Sequence, residues 1–76
     1  MTRRLQHYQI YRVAGAVEYP YRSVSAYDAA DALSRVLDAP FVLVRSRWIG
    51  SKLIAVIRAH GTETVYVSRL VGRPTP

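Results

Sequence analysis

Only one stretch of this chain, Ser25 to Leu37, repeats apolar residues at helical spacing. Ala26, Ala29, Ala30, Leu33, Val36 and Leu37 make one apolar stripe. Asp28, Asp31, Ser34, Arg35 and Asp38 fall largely on the other side, with Asp31 and Arg35 at the favourable i,i+4 spacing. Ser25 is the expected N-cap, Asp28 suits the positive end of the first turn, and Pro40 ends the helix near Ala39. The stripe reads as core, and its alanines let the helix sit close to a sheet. One helix can cover only one side of whatever sheet the rest of the chain builds.

The rest reads as strands. Residues 5–13 and 16–23 are rich in aromatic and branched side chains and are separated by Ala14-Gly15, which gives a hairpin. Tyr8, Ile10, Val17, Tyr19 and Tyr21 share its core face, and Pro20 requires an edge strand or a bulge. Residues 41–48, 52–60 and 63–71 form a meander through turns at Gly50-Ser51 and Gly61-Thr62. These turns set a register. Trp48 faces Leu53, Ser46 faces Ala55, Val44 faces Ile57 and Val42 faces Ala59. Across the second turn, Ala59 faces Thr64, Ile57 faces Tyr66, Ala55 faces Ser68 and Leu53 faces Leu70, all beneath the helix. The expected fold is α+β: one domain over residues 1–76 in ββαβββ order, an antiparallel sheet with one helix on one face, and 1–4 and 72–76 as flexible ends.

The opposite face is the informative one. It carries Phe41, Leu43, Arg45 and Arg47, then Lys52, Ile54, Val56, Arg58 and His60, then Glu63, Val65, Val67, Arg69 and Val71. A solvated face would alternate to polar residues. Here Leu43, Ile54, Val56, Val65 and Val67 form an aliphatic centre that no remaining segment can cover. Such a patch marks an interaction site. A domain of 76 residues also buries too little surface to be very stable alone, so association would help it.

Charge narrows the partners. Eleven basic against five acidic residues give a formal charge of +6, with ten arginines and one lysine, Lys52. That balance favours an acidic protein surface or a polyanion. Arg45, Arg47, Lys52, Arg58 and Arg69 would be the nucleic-acid-binding set, since basic residues on a sheet can hold phosphates. Against this, the face is aliphatic where bases would stack, and only Phe41 and Tyr11 could serve. Zinc-finger, helix-turn-helix and RNA-recognition signatures are missing.

No catalytic constellation is legible. His7 and His60 lack ligands at metal-site spacing, and His60 faces Glu63 in the expected register as a turn-flanking pair. The helix carboxylates have no matching group, no serine has an activating base, and Gly50-Ser51-Lys52 lacks the context of a phosphate loop. There is no cysteine, no apolar run long enough to span a membrane, and no signal peptide in the basic start. The expectation is a cytoplasmic, non-enzymatic protein with no metal, cofactor or small-molecule substrate.

The stretch Ser25-Ala-Tyr-Asp-Ala-Ala-Asp-Ala-Leu-Ser-Arg-Val-Leu37, between a hairpin and a β-meander, resembles small orphan proteins of actinobacterial phages. The likeness covers about 13 residues and the layout. It implies a small accessory protein that engages a host protein, and it assigns no residue a role. The expected partner is thus a protein, either an identical copy in a homo-oligomer or a host protein, with nucleic acid as the alternative.

Overall fold

The computed structural model describes residues 4–37 and 40–72. Five strands and one helix follow in the order β1 (Gln6–Ala14), β2 (Val17–Ala26), α1 (Ala29–Val36), β3 (Val42–Ile49), β4 (Lys52–Ala59) and β5 (Thr62–Gly72). All neighbours in the single sheet are antiparallel, and the strands lie in the order β2-β1-β5-β4-β3. The first hairpin therefore extends the sheet beside β5, and the chain crosses from one edge to the other through α1. The architecture is α+β.

The core lies between α1 and the middle of the sheet. Ala29, Ala32, Leu33 and Val36 of the helix meet Tyr8, Ile10, Ala26, Leu53, Ala55 and Ile57. Small residues on both sides (Ala26, Ala29, Ala32, Ala55 and the fully buried Ser68) let the helix lie close to the strands. Close approach adds dispersion contacts to the roughly 25 cal/mol gained per Å² of apolar surface removed from water.

The helix is shorter than its sequence pattern suggested. Strand β2 runs through Ala26, and the N-cap is Asp28, whose Oδ1 accepts from the Asp31 N–H at 2.7 Å. Asp31 in turn accepts from the Tyr27 N–H at 3.0 Å, so the Asp28 carboxylate caps the first turn and the Asp31 carboxylate holds the residue before the cap. Ser25 is not the cap; its hydroxyl lies 3.2 Å from His7 Nδ1 across the β1–β2 pair. Ala30 is exposed and Ala32 takes the buried place expected for it. Leu37 is already extended at φ −89°, ψ 112°, so the helix ends before the expected Ala39. Asp38 and Ala39 lie outside the described residues.

Turns decide the registers. Gly50-Ser51 joins β3 to β4, and Trp48–Leu53 and Ser46–Ala55 pair as expected. The β4–β5 turn is His60-Gly61, both at positive φ (54° and 76°), the signature of a type I′ hairpin. The expected Gly61-Thr62 turn is thus displaced by one residue and the pairing by two. Leu53 faces Ser68, Ala55 faces Tyr66, Ile57 faces Thr64 and Ala59 faces Thr62. A shift of two keeps every side chain on its face. It also moves the partner of Glu63 from His60 to Arg58, and the two side chains form a 2.6 Å ion pair.

Bulges alter faces where the register shift did not. One between Leu43 and Arg45 leaves Val44 unopposed, so Leu43 faces Ile57 and Val42 faces Arg58. A second at Tyr21 lies beside Pro20 in edge strand β2, the device expected for that proline. Tyr8 and Ile10 of the first hairpin are buried, whereas Val17, Tyr19 and Tyr21 lie beyond the helix and are exposed. Of the terminal segments expected to be flexible, Gly72 is instead the last residue of β5, opposite His7. Residues 1–3 and 73–76 lie outside the described residues.

Candidate functional site

The sheet side away from α1 has no described element packed on it. Two rows of residues cross all five strands there. One runs Pro20, Tyr11, Val67, Ile54, Arg47, and the next runs Glu18, Val13, Val65, Val56, Arg45. Ile54, Val56, Val65 and Val67 thus come together as two adjacent cross-strand pairs, as their alternation suggested. Leu43 does not join them. The Val44 bulge turns it to the helix side, where it lines a small apolar groove with Ala30, Leu33, Ser34, Phe41, Leu53 and Ile57. Alternation alone could not reveal this, because one extra residue reverses the facing of everything before it.

The aliphatic centre is also better shielded than a bare face would be. Val67 is only 4% exposed, and Ile54, Val56 and Val65 are half-buried. Tyr11 and Ile54 flank Val67, and the Arg69 guanidinium lies 5.1 Å from the Tyr11 ring centre. Arg69 also reaches Glu18 at 3.3 Å. The Arg58–Glu63 and Arg69–Glu18 ion pairs are both exposed, so each contributes at most about 1 kcal/mol.

The five cations therefore divide. Arg58 and Arg69 are engaged by Glu63 and Glu18, whereas Arg45, Arg47 and Lys52 make no ion pair among the described residues. Arg45 and Arg47 stand on β3, and Lys52 begins β4 opposite Ile49. Cationic surface is thus concentrated along the β3 side of the open face, next to the aliphatic pairs.

Strand β3 is the feature that sequence reading missed. It was expected to have one side under the helix, yet no Cα of α1 lies within 8 Å of any in β3. Every β3 residue is exposed, including Val42, Leu43, Val44, Trp48 and Ile49. The signal was available in lengths. A helix is only about 10 Å wide, whereas five strands at about 4.8 Å spacing span roughly 19 Å, so a helix that lies against the β2 side leaves β3 uncovered.

At the C-terminal end of α1, Tyr21, Leu37, Phe41, Ile57, Tyr66 and the β4–β5 turn surround a cleft of about 220 Å³. Burial raises the Tyr66 hydroxyl pKa, nearby Tyr21 adds to this, and Arg12 opposes it. Tyr66 therefore stays protonated at neutral pH. Among the described residues its lining includes no Asp, Glu, Lys or Arg, and the cleft is smaller than the roughly 300 Å³ at which ligand pockets begin. Among the described residues no three of His, Asp and Glu gather where a metal could bind, and no helix is long and apolar enough to cross a membrane.

Compared with known proteins, the chain matches no family model, no curated protein and no solved structure.

Proposed function

We propose that this chain is a non-enzymatic protein-binding module, of the small accessory kind, that docks on an acid-bearing partner protein through the uncovered side of its sheet. One observation carries the reading. The middle of a sheet face with no described element packed on it holds the aliphatic pairs Ile54–Val67 and Val56–Val65, bordered by Arg45, Arg47 and Lys52. Covering the centre removes apolar surface from water, and partner carboxylates would satisfy the cations.

The same charges disfavour an identical copy laid face to face. That face carries Arg45, Arg47, Lys52, Arg58 and Arg69 against Glu18 and Glu63, so two copies would bring positive surface together. Nucleic acid is the second reading, supported by Arg45, Arg47 and Lys52 having no ion-pair partner among the described residues. It is weakened by the aliphatic centre and by Tyr11, whose ring is already occupied by Arg69.

The test compares Val56→Glu with Arg45→Glu/Arg47→Glu. Proteins that copurify with the tagged chain are identified and the complex is rebuilt from pure components. Val56→Glu should abolish that complex while leaving the circular dichroism of the chain unchanged. In parallel, single- and double-stranded DNA and RNA are titrated at several salt concentrations. Binding whose salt slope drops by about one per removed arginine, and which survives Val56→Glu, would replace the protein reading with the nucleic-acid one.

A further inference from the structure

The two edges of the sheet are not equivalent. Edge strand β2 contains Pro20, which has no N–H to offer, and the bulge at Tyr21, both of which blunt an edge. Edge strand β3 has its bulge at Val44, but from Arg45 to Ile49 it pairs regularly with β4 and contains no proline. Its outer edge there presents backbone donors and acceptors that no described strand takes up. Such an edge is a template for another strand.

The side chains of β3 differ sharply between its two sides. On the open side stand Arg45 and Arg47, with no ion pair among the described residues, followed by Ile49. On the helix side stand Leu43, Ser46 and Trp48; Leu43 and Trp48 are 51% and 50% exposed, and Leu43 lines the apolar groove with Ala30, Leu33 and Phe41. A strand laid along β3 would meet cations on one side and apolar surface on the other. Successive residues of a strand alternate sides, so a matching segment alternates acidic with apolar residues.

We propose that Arg45–Ile49 of β3 captures an extended segment of a partner protein in which acidic and apolar residues alternate, adding it to the sheet as a sixth strand. The acidic residues face Arg45 and Arg47, and the apolar residues lie against Leu43, Trp48 and the groove mouth. Charge selects this occupant over a second copy. Antiparallel pairing of two β3 strands about an axis normal to the sheet places both sets of Arg45 and Arg47 on one side, at cross-strand distances where like charges repel. The inference rests on reading the chain as a protein-binding module, but it uses the sheet edge instead of the open face.

The experiment is an amide NMR titration with a short, end-capped peptide alternating valine and glutamate, and with the same peptide carrying lysine in place of glutamate. The glutamate peptide should shift the amides of residues 45–49, and the lysine peptide should bind roughly tenfold more weakly. Arg45→Glu/Arg47→Glu should reverse that preference. Methylating alternate peptide nitrogens should abolish binding in one frame and spare it in the other, because only one edge of the peptide pairs with β3. Val65→Glu, on the open face, should leave peptide binding unchanged.

Equal binding of both peptides, shifts confined to β4 and β5, or displacement of the peptide by a DNA oligonucleotide would each overturn the inference. If no peptide binds but Val65→Glu still destroys a protein complex, the edge proposal fails and the module reading stands. If the peptide binds as described and no open-face variant affects any protein complex, the edge proposal stands and docking through the open face fails.

Discussion

Ser68 offers the sharpest test of how this small core is built. It is fully buried between Ile10 and Leu53 on the helix side of β5, and its Oγ has no hydrogen-bond partner. A buried hydroxyl left unsatisfied costs about 1–3 kcal/mol, while removing its oxygen takes away little volume. Alanine has slightly poorer strand propensity than serine, which offsets a few tenths of a kcal/mol. Ser68→Ala should therefore stabilise the fold by roughly 1 kcal/mol. At about 2.1 cal/mol/K of unfolding entropy per residue, 76 residues give roughly 0.16 kcal/mol/K, so Tm should rise by about 6 °C. Ser68→Val, by contrast, adds methyl groups where the helix already lies close, and overpacking of that kind costs about 1–3 kcal/mol. Thermal unfolding followed by circular dichroism, with urea titration as a second measure, would report both. A Ser68→Ala variant less stable than the parent by about 1 kcal/mol would mean that the hydroxyl is satisfied.

Three further predictions bear on the same architecture. Leu33, 4% exposed in the core and also lining the groove, should cost about 2–5 kcal/mol on replacement by alanine, visible as a lower urea midpoint. Asp28→Ala should cost about 1 kcal/mol by removing the cap, whereas Ser25→Ala should leave helix stability unchanged; equal losses would mean the cap is misplaced. Tyr8 and Tyr66 both have pKa values raised by burial, with Asp28 adding to the first, and Tyr21 adding to and Arg12 opposing the second. Their neutral forms are thus favoured in the folded state and the unfolded chain ionises first. Stability should hold below about pH 10 and fall as pH rises through the folded values, and Tyr66→Phe should lessen that fall in a Tm series.

By itself the sequence determined the α+β class, the segments that form strands and helix, and the gathering of Ile54, Val56, Val65 and Val67 on one face. Those features rest on local periodicity and turn chemistry, which act over a few residues and are written in the order of the chain. Even the misplaced turn at Gly61-Thr62 preserved the faces, because pairing slipped by an even number of residues. Tertiary structure decided what periodicity cannot carry. The cap fell to Asp28 because strand pairing with His7 and Gln6 draws Ser25 and Ala26 into β2. Leu43 left its expected companions because of one bulged residue in β3. The exposure of β3 depends on the order β2-β1-β5-β4-β3, which inserts β1, β5 and β4 between β2 and β3, the strands adjacent to the helix in sequence. A short helix that lies against β2, β1, β5 and β4 cannot also reach β3 at the far edge, and that edge stays open for the physical reason that width, not pattern, sets what a helix covers.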